Sequence, residues 1–339
     1  LEMVQLGLQL FELTIDFCQI LLGIYFLVRL KSMQLINTNL RWILSVLVGA
    51  PLLESIDRSV FILTRVITDR DLLQILGYER CLIARFFCDA GFICLNVAIP
   101  AVVCERMIAT LKPKEYAHGR RKHFGAIVAV LIILAGCLLS AVVLVVDLLK
   151  PVKVTVSCRL EATAPILKLV LSCICIVISV LSATVLFELQ KRNKQLKTAL
   201  YKEDLNVRYQ IRENGNTLQV LIPLVAVYCI YIGATVLLSL TQFARFIPPS
   251  VHWTITQVSH VLSAGYGLFF LVFFLLMHSS FRRRLKADIR KLTCLPNRRI
   301  DDPRYRNEDA DAKTNEYFKD LILYWDRVAK RKHCAIDDF

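Results

Sequence analysis

The residue groupings in this chain that could do chemistry suit partner exchange between charges and recognition of a small molecule. Glu105 and Arg106 stand side by side in Cys104-Glu105-Arg106-Met107-Ile108-Ala109-Thr110, and a second carboxylate, Glu213, precedes Asn214 at the end of Arg208-Tyr209-Gln210-Ile211-Arg212-Glu213-Asn214. An arginine offered two carboxylates can move between them, because a charge near a membrane edge is costly to leave unpaired. Trp253, Gln257 and His260 recur at i, i+4 and i+7, the spacing of one helix face; Phe86 and Asp89 are three apart, and Tyr231 is a further aromatic candidate. These six are the candidate ligand contacts, with an Arg85–Asp89 ion pair that only neutralises itself as the alternative for Asp89. The histidines, at 118, 123, 252, 260, 278 and 333, are scattered, and no HExxH, Gly-x-Ser-x-Gly or phosphate-binding loop occurs. Catalysis, a metal site and a cofactor are therefore not expected.

The elements that must position these residues are apolar runs. With 56% apolar residues in 339 and a mean hydropathy of +0.53, the chain carries more apolar surface than a soluble core of ordinary composition. A bilayer core of about 30 Å needs about 20 apolar helical residues. Seven such runs are read: Gln5 to Val28, Leu40 to Leu63, Leu82 to Cys104, Phe124 to Asp147, Pro165 to Leu189, Thr217 to Leu240 and Val251 to Met277. The second is interrupted by Glu54, Asp57 and Arg58, so six is the alternative count. Ile127 to Leu144 and Leu169 to Leu186 are apolar on every face, unlike helices of a soluble bundle. The expected fold is all-α, a seven-transmembrane-helix bundle.

The net charge of +14 reads as topology, not as a nucleic-acid surface, because the basic residues are divided among the connectors. Seven lie between Lys191 and Arg212 and six between Arg282 and Lys291, whereas the opposite connectors hold Arg65, Arg70 and Arg80, then Lys150, Lys153 and Arg159, then Arg245. The positive-inside rule places the N-terminus outside the cell and the C-terminus in the cytoplasm of a multi-pass plasma-membrane protein. Of twelve cysteines, eight lie in apolar runs, and Cys294 and Cys334 fall on the reducing side. Cys81 and Cys158 remain in oxidising space, and a disulfide between them is expected, with two free thiols as the alternative. Arg106 lies 25 residues after Cys81, roughly 37 Å of helix or one full crossing.

A bundle with a cysteine at one end of its third helix and a Glu-Arg pair at the other resembles the G-protein-coupled receptor superfamily. The sequence Glu105-Arg106-Met107-Ile108-Ala109-Thr110 with Glu115-Tyr116 after it, then Arg208-Tyr209-Gln210-Ile211-Arg212-Glu213-Asn214, resembles the nematode serpentine chemoreceptors, closest to the Sre class with Sra, Srab and Srb beside it. The segment from Glu316 to Leu321, followed by Trp325, resembles that family's tail. The resemblance implies a chemosensory receptor that binds a small molecule and couples to a heterotrimeric G protein. It makes Glu105, Arg106, Tyr209, Glu213 and Asn214 the candidate coupling switch; Arg106 and Glu213 acting only as headgroup anchors is the alternative. The seventh run reads Leu262-Ser263-Ala264-Gly265-Tyr266-Gly267-Leu268 and lacks the Asn-Pro-x-x-Tyr element of rhodopsin-like receptors. Pro223 is a candidate hinge in helix six.

After the seventh run, Phe281, Leu285, Ile289 and Leu292 recur every three or four residues among basic side chains, the pattern of an amphipathic helix on the inner leaflet, and Cys294 at its end is a palmitoylation candidate. The expected organisation is a receptor domain over 1–278, this surface helix over 279–294 and a largely disordered cytoplasmic tail over 295–339. A membrane transporter or channel is the competing function, although the two halves show no internal repeat.

Overall fold

A computed structural model describes residues 2–33, 36–68, 78–117, 123–148, 165–199, 205–241 and 249–292, all of them helices or their immediate flanks. The chain divides into two units, Leu1–Arg282 and Arg283–Phe339, of which the second is described only as far as Leu292. The helices are α1 (Glu2–Ser32), α2 (Thr38–Thr68), α3 (Tyr78–Leu111), the short α4 (Pro113–Ala117), α5 (Phe124–Leu148), α6 (Pro165–Ala199), α7 (Leu205–Thr241), α8 (Pro249–Met277) and α9 (Ser279–Leu292).

Among the described residues, six helices are long and apolar enough to cross a membrane, namely α1, α3, α5, α6, α7 and α8. The seventh long helix, α2, carries Glu54, Asp57 and Arg58 where a span would be apolar, yet it packs against α1, α3, α5 and α8 like any other member of the bundle. The reason is visible in what its charges face. Glu54 is 9% and Arg58 4% exposed, turned into the bundle against other polar groups. A helix can hold charge at this depth when the charge is paired inside the protein.

The neighbour relations form a ring, α1–α2–α5–α3–α6–α7–α8 and back to α1, with α3 also reaching α2 and α7 and so lying at the centre. The distribution of polarity is the reverse of a soluble protein. Leu138, Leu181, Phe17 and Ile127 are 58–67% exposed, while Glu12, Asp16, Gln19, Glu105 and Arg106 are at most 2% exposed. Lipid tails are as apolar as leucine, so the helices gain little by hiding leucine from them and much by turning polar groups to one another. Close backbone approach then supplies the packing. A Cβ on Gly125 of α5 would stand 2.2 Å from the carbonyl oxygen of Asn39, and one on Gly136 would meet Cys94 Sγ at 2.3 Å. At the same junction the Asn39 side chain accepts a hydrogen bond from Gly125 N at 3.0 Å, which ties α5 to the start of α2.

The phenylalanines of α8 wrap around the helix: Phe269 is 36% exposed, whereas Phe270 and Phe274 are buried. Phe274 packs edge-on to Phe26, and Phe281 at the start of α9 stacks on Phe26 at 4.8 Å, closing α8 onto α1.

Because Asn39 meets Gly125 with rigid backbone, Gly125→Ala should destabilise the bundle by about 1–3 kcal/mol. The measurement is the thermal midpoint of the purified protein in detergent, with Gly49→Ala and Gly233→Ala, which have open space at Cβ, as variants expected to leave it unchanged.

Candidate functional site

Three polar constellations lie inside the bundle, each assembled from helices far apart in sequence. The first is at the C-terminal end of α3. Arg106 donates from Nε to Glu105 Oε2 at 2.5 Å and from Nη2 to Glu105 Oε1 at 2.6 Å, a bidentate ion pair between neighbours in the chain. Its remaining donors reach other helices: Nη2 to the Tyr116 hydroxyl of α4 at 3.1 Å and Nη1 to Asn214 Oδ1 of α7 at 3.2 Å. Tyr116 in turn donates to Glu105 Oε1, and its ring lies under the guanidinium at 5.9 Å. Burial in this setting pushes the Tyr116 hydroxyl well above its ordinary pKa, so it stays protonated and remains a donor.

Asn214 is the hub that extends this knot. Its Nδ2 donates to Thr110 Oγ1 at 2.8 Å and to Asn193 Oδ1 of α6 at 3.1 Å, and Asn193 Nδ2 donates to the carbonyl of Ile211 at 3.1 Å. One amide thus links α3, α6 and α7. On α7 the group that hydrogen-bonds Arg106 is Asn214, and Glu213, expected as a second carboxylate for Arg106, acts on it electrostatically. On a helix, consecutive residues point about 100° apart, and here Asn214 takes the face toward α3. Glu213 instead lies 3.4 Å from Nε2 of His278 at the end of α8. Tyr209 is 39% exposed.

The second constellation joins α1, α2 and α8. Arg58 donates from Nε to Glu12 Oε1 at 2.8 Å and from Nη2 to Glu12 Oε2 at 3.0 Å, with Gln257 Oε1 as a further acceptor at 3.4 Å; Gln257 Nε2 closes the triangle by donating to Glu12. Deeper along α1, Gln19 Nε2 donates to the carbonyl of Pro51 at 2.9 Å. The residues of this cluster on α1 and α2 carried no role in the sequence reading. Their signal was present: carboxylates at Glu12 and Asp16, four apart in an apolar run, require a counter-charge, and Arg58 is the one basic residue among the three that interrupt the second run.

The third is a cavity of about 360 Å³ bounded by α2, α3, α5, α6, α7 and α8, in the half of the bundle that holds the N-terminal part of α3. Asp89, Tyr231 and His260, expected as ligand contacts, line it. Glu54, also lining it, accepts a hydrogen bond from Ser263 Oγ at 3.0 Å. Tyr231 stacks on Tyr266 at 5.2 Å, and below them the Tyr228 hydroxyl donates to Asn96.

Two expected contacts do not line the cavity. Gln257 is 4% exposed and committed to Glu12 and Arg58, because its face of α8 meets α1. Phe86 packs its ring against Phe87 at 5.4 Å while its carbonyl accepts from Ser140 Oγ of α5 at 2.8 Å. The side chains of Trp253 and Cys81 lie outside the described residues, as do Cys158 and Cys294 altogether. Among the described residues no group of three or more His, Cys, Asp or Glu side chains could hold a metal ion.

A family model described as serpentine type 7TM GPCR receptor class ab chemoreceptor matches residues 3–299. No curated protein matches the chain. Class ab is one of the classes that stood beside Sre in the resemblance drawn from the motifs.

The buried Glu12–Arg58 pair predicts a non-additive stability pattern. Glu12→Ala leaves a guanidinium unpaired in a bundle interior and should cost about 3–5 kcal/mol, whereas Glu12→Leu combined with Arg58→Met should recover most of that loss. Thermal midpoints of Glu12→Leu, Arg58→Met and the double variant made from them give the coupling directly.

Proposed function

The chain belongs to the class ab serpentine chemoreceptor family, a family of seven-helix receptors and not of enzymes, and on that premise we propose that a small molecule bound in the 360 Å³ cavity releases the Arg106 knot to a heterotrimeric G protein. The observation that carries this reading is the make-up of the knot. Its strong bonds are local, Arg106 to the adjacent Glu105, while its ties to α7 run through one neutral amide, Asn214, which accepts from Arg106 at 3.2 Å and donates to Thr110 at 2.8 Å. A hydrogen bond from a charged group to a neutral amide is worth about 1.5–3 kcal/mol, and leaving the buried guanidinium without its carboxylate would cost about 3–5 kcal/mol. Moving α7 away from α3 therefore breaks the weaker bonds and keeps the charge paired. Arg106 becomes available to a protein segment entering between α3 and α7 without ever being left alone.

The signal has a short route. Asn96 and Glu54 line the cavity, and Tyr228, bonded to Asn96, and Tyr231 stand on α7 above Asn214. Pro223 lies between them, inside α7, where the missing N–H weakens the helix. A ligand that displaces Tyr231 would turn α7 about that point and act on Asn214 below it.

The remaining parts of the reading follow from charge. The basic connectors put the knot on the cytoplasmic side of the plasma membrane and the N-terminus outside. Cys81 and Cys158 then share the oxidising side and form the disulfide that tethers the connector between α5 and α6. The basic amphipathic α9 lies on the inner leaflet, with Cys294 beyond it as its lipidation site.

The test is nucleotide exchange on a co-expressed Gα subunit. Arg106→Ala should abolish exchange at normal surface expression, and Asn214→Ala should raise basal exchange roughly five-fold, the population shift expected for about 1 kcal/mol. Unchanged basal and stimulated exchange in both variants would overturn the switch. In intact cells an N-terminal tag should stain and a C-terminal tag should not, and non-reducing peptide mapping should recover Cys81 joined to Cys158.

A further inference from the structure

The long helices α5 and α6 follow one another in the chain, yet among the described residues they are not packed against each other; both pack on α3, and α6 also on α7. Between them the surface of the bundle recedes to α3, whose Ile93 and Val97 lie half-buried on the cavity wall. The cavity reaches the same gap. Leu139 and Val143 of α5 and Leu171, Ile174, Cys175 and Ile178 of α6 line it. Some of these side chains belong to the outward surface as well: Leu139 is 38%, Ile174 50% and Ile178 39% exposed.

The order of residues around each helix makes the gap continuous with the cavity. On α6 the bilayer face carries Val170, Val177 and Leu181, which are 49–60% exposed. At about 100° per residue, Ile174 and Ile178 come next around the helix and Leu171 and Cys175 after them, so bilayer face, rim and cavity wall follow one another. On α5, Leu138 and Val142 face the bilayer, Leu139 stands at the rim, and Gly136 and Ser140 turn to Cys94 and Phe86 of α3. The rim, Leu139, Ile174 and Ile178, and the floor, Ile93 and Val97, are apolar, whereas Glu54, Ser259 and Ser263 belong to α2 and α8, which do not border the gap. A charge is costly in hydrocarbon, while an apolar solute favours the bilayer over water about four-fold more for each added methylene. An opening with this lining admits what the bilayer has already collected.

We propose that the gap between α5 and α6 is the entrance to the cavity, and that the ligand is an uncharged, lipophilic molecule that reaches it from within the bilayer and not from the water outside. The identity of the ligand class rests on the reading of this cavity as the ligand site; the route itself is a property of the bundle and can be measured without signalling.

The experiment uses the full-length receptor in phosphatidylcholine vesicles and two photoactivated labels, trifluoromethyl phenyl diazirine, which partitions into the bilayer, and a sulfonated analogue confined to water. Labelled residues are read by peptide mass mapping. The bilayer label should mark Phe92 and Tyr231 inside the cavity as well as Leu138 and Val177 on the outer surface, and the water-confined label should mark none of the four. That comparison needs no substitution. Filling the rim with Leu139→Trp and Ile174→Trp together should slow labelling of Phe92 and Tyr231 about ten-fold, the effect of a barrier raised by about 1.4 kcal/mol, and leave Leu138 and Val177 labelled as before. Ile174→Phe, a smaller change at an already exposed position, should give an intermediate slowing, and Val177→Trp, on the bilayer face away from the rim, should give none. Equal or better labelling of Phe92 and Tyr231 by the water-confined reagent would overturn the route. So would labelling that stops at the outer surface, as it must if the gap is shut or filled by a lipid chain, or cavity labelling that is as fast in the rim-filled receptor as in the parent. Failure of the exchange tests on Arg106 and Asn214 would strike the coupling reading and leave the route standing, and failure of the labelling would do the reverse.

Discussion

Inside a hydrocarbon solvent no polar group can be satisfied from outside the protein, and the placement of every charge in this bundle follows from that constraint. Glu12, Asp16, Glu105 and Arg106 are at most 2% exposed while leucines and isoleucines cover the surface. What would be an inverted protein in water is the only stable arrangement in lipid. The arrangement also explains why the helices pack through close glycine contacts and interhelical hydrogen bonds, since apolar burial distinguishes weakly between a neighbouring helix and a lipid tail.

The same constraint separates the interior into two polar ends with different chemistry. Where α1, α2 and α8 meet, the ion pair Glu12–Arg58 is bidentate and reinforced by Gln257, which makes it a fixed joint. At the other end Arg106 is equally well paired, but with its own neighbour, so its contacts to α4 and α7 are not needed to neutralise the charge. One charge pair holds helices together. The other keeps a charge satisfied within a single helix.

Glu54 connects the ends of this scheme. It belongs to the cavity wall and also to the small void shared with Asp16, Gln19 and Arg58, and His260 and Ser263 do the same from α8. A molecule entering the cavity therefore meets side chains that already report to the fixed joint, while Tyr231 and Asn96 face the helix pair, α7 and α3, that carries the knot. The cavity thus shares residues with the Glu12–Arg58 cluster on one side and touches the α3–α7 pair on the other.

Much of this was legible in the linear sequence because the physics involved is local. Apolar runs of about 20 residues mark helices that need lipid, and charged connectors orient them, whatever the packing turns out to be. The Glu105-Arg106 pair was likewise visible, since the two groups are neighbours in the chain. What tertiary structure alone decided is which face of each helix meets which partner. A sequence that offers Glu213 and Asn214 in succession does not say which points at α3, and a one-residue difference is a turn of about 100°. It assigned Arg106 to an amide and Glu213 to His278. Gln257 and His260 read as one surface, yet α1 claims the first and the cavity keeps the second, because Gln257 completes the Glu12–Arg58 pair, whose members are 46 residues apart and cannot find each other on paper.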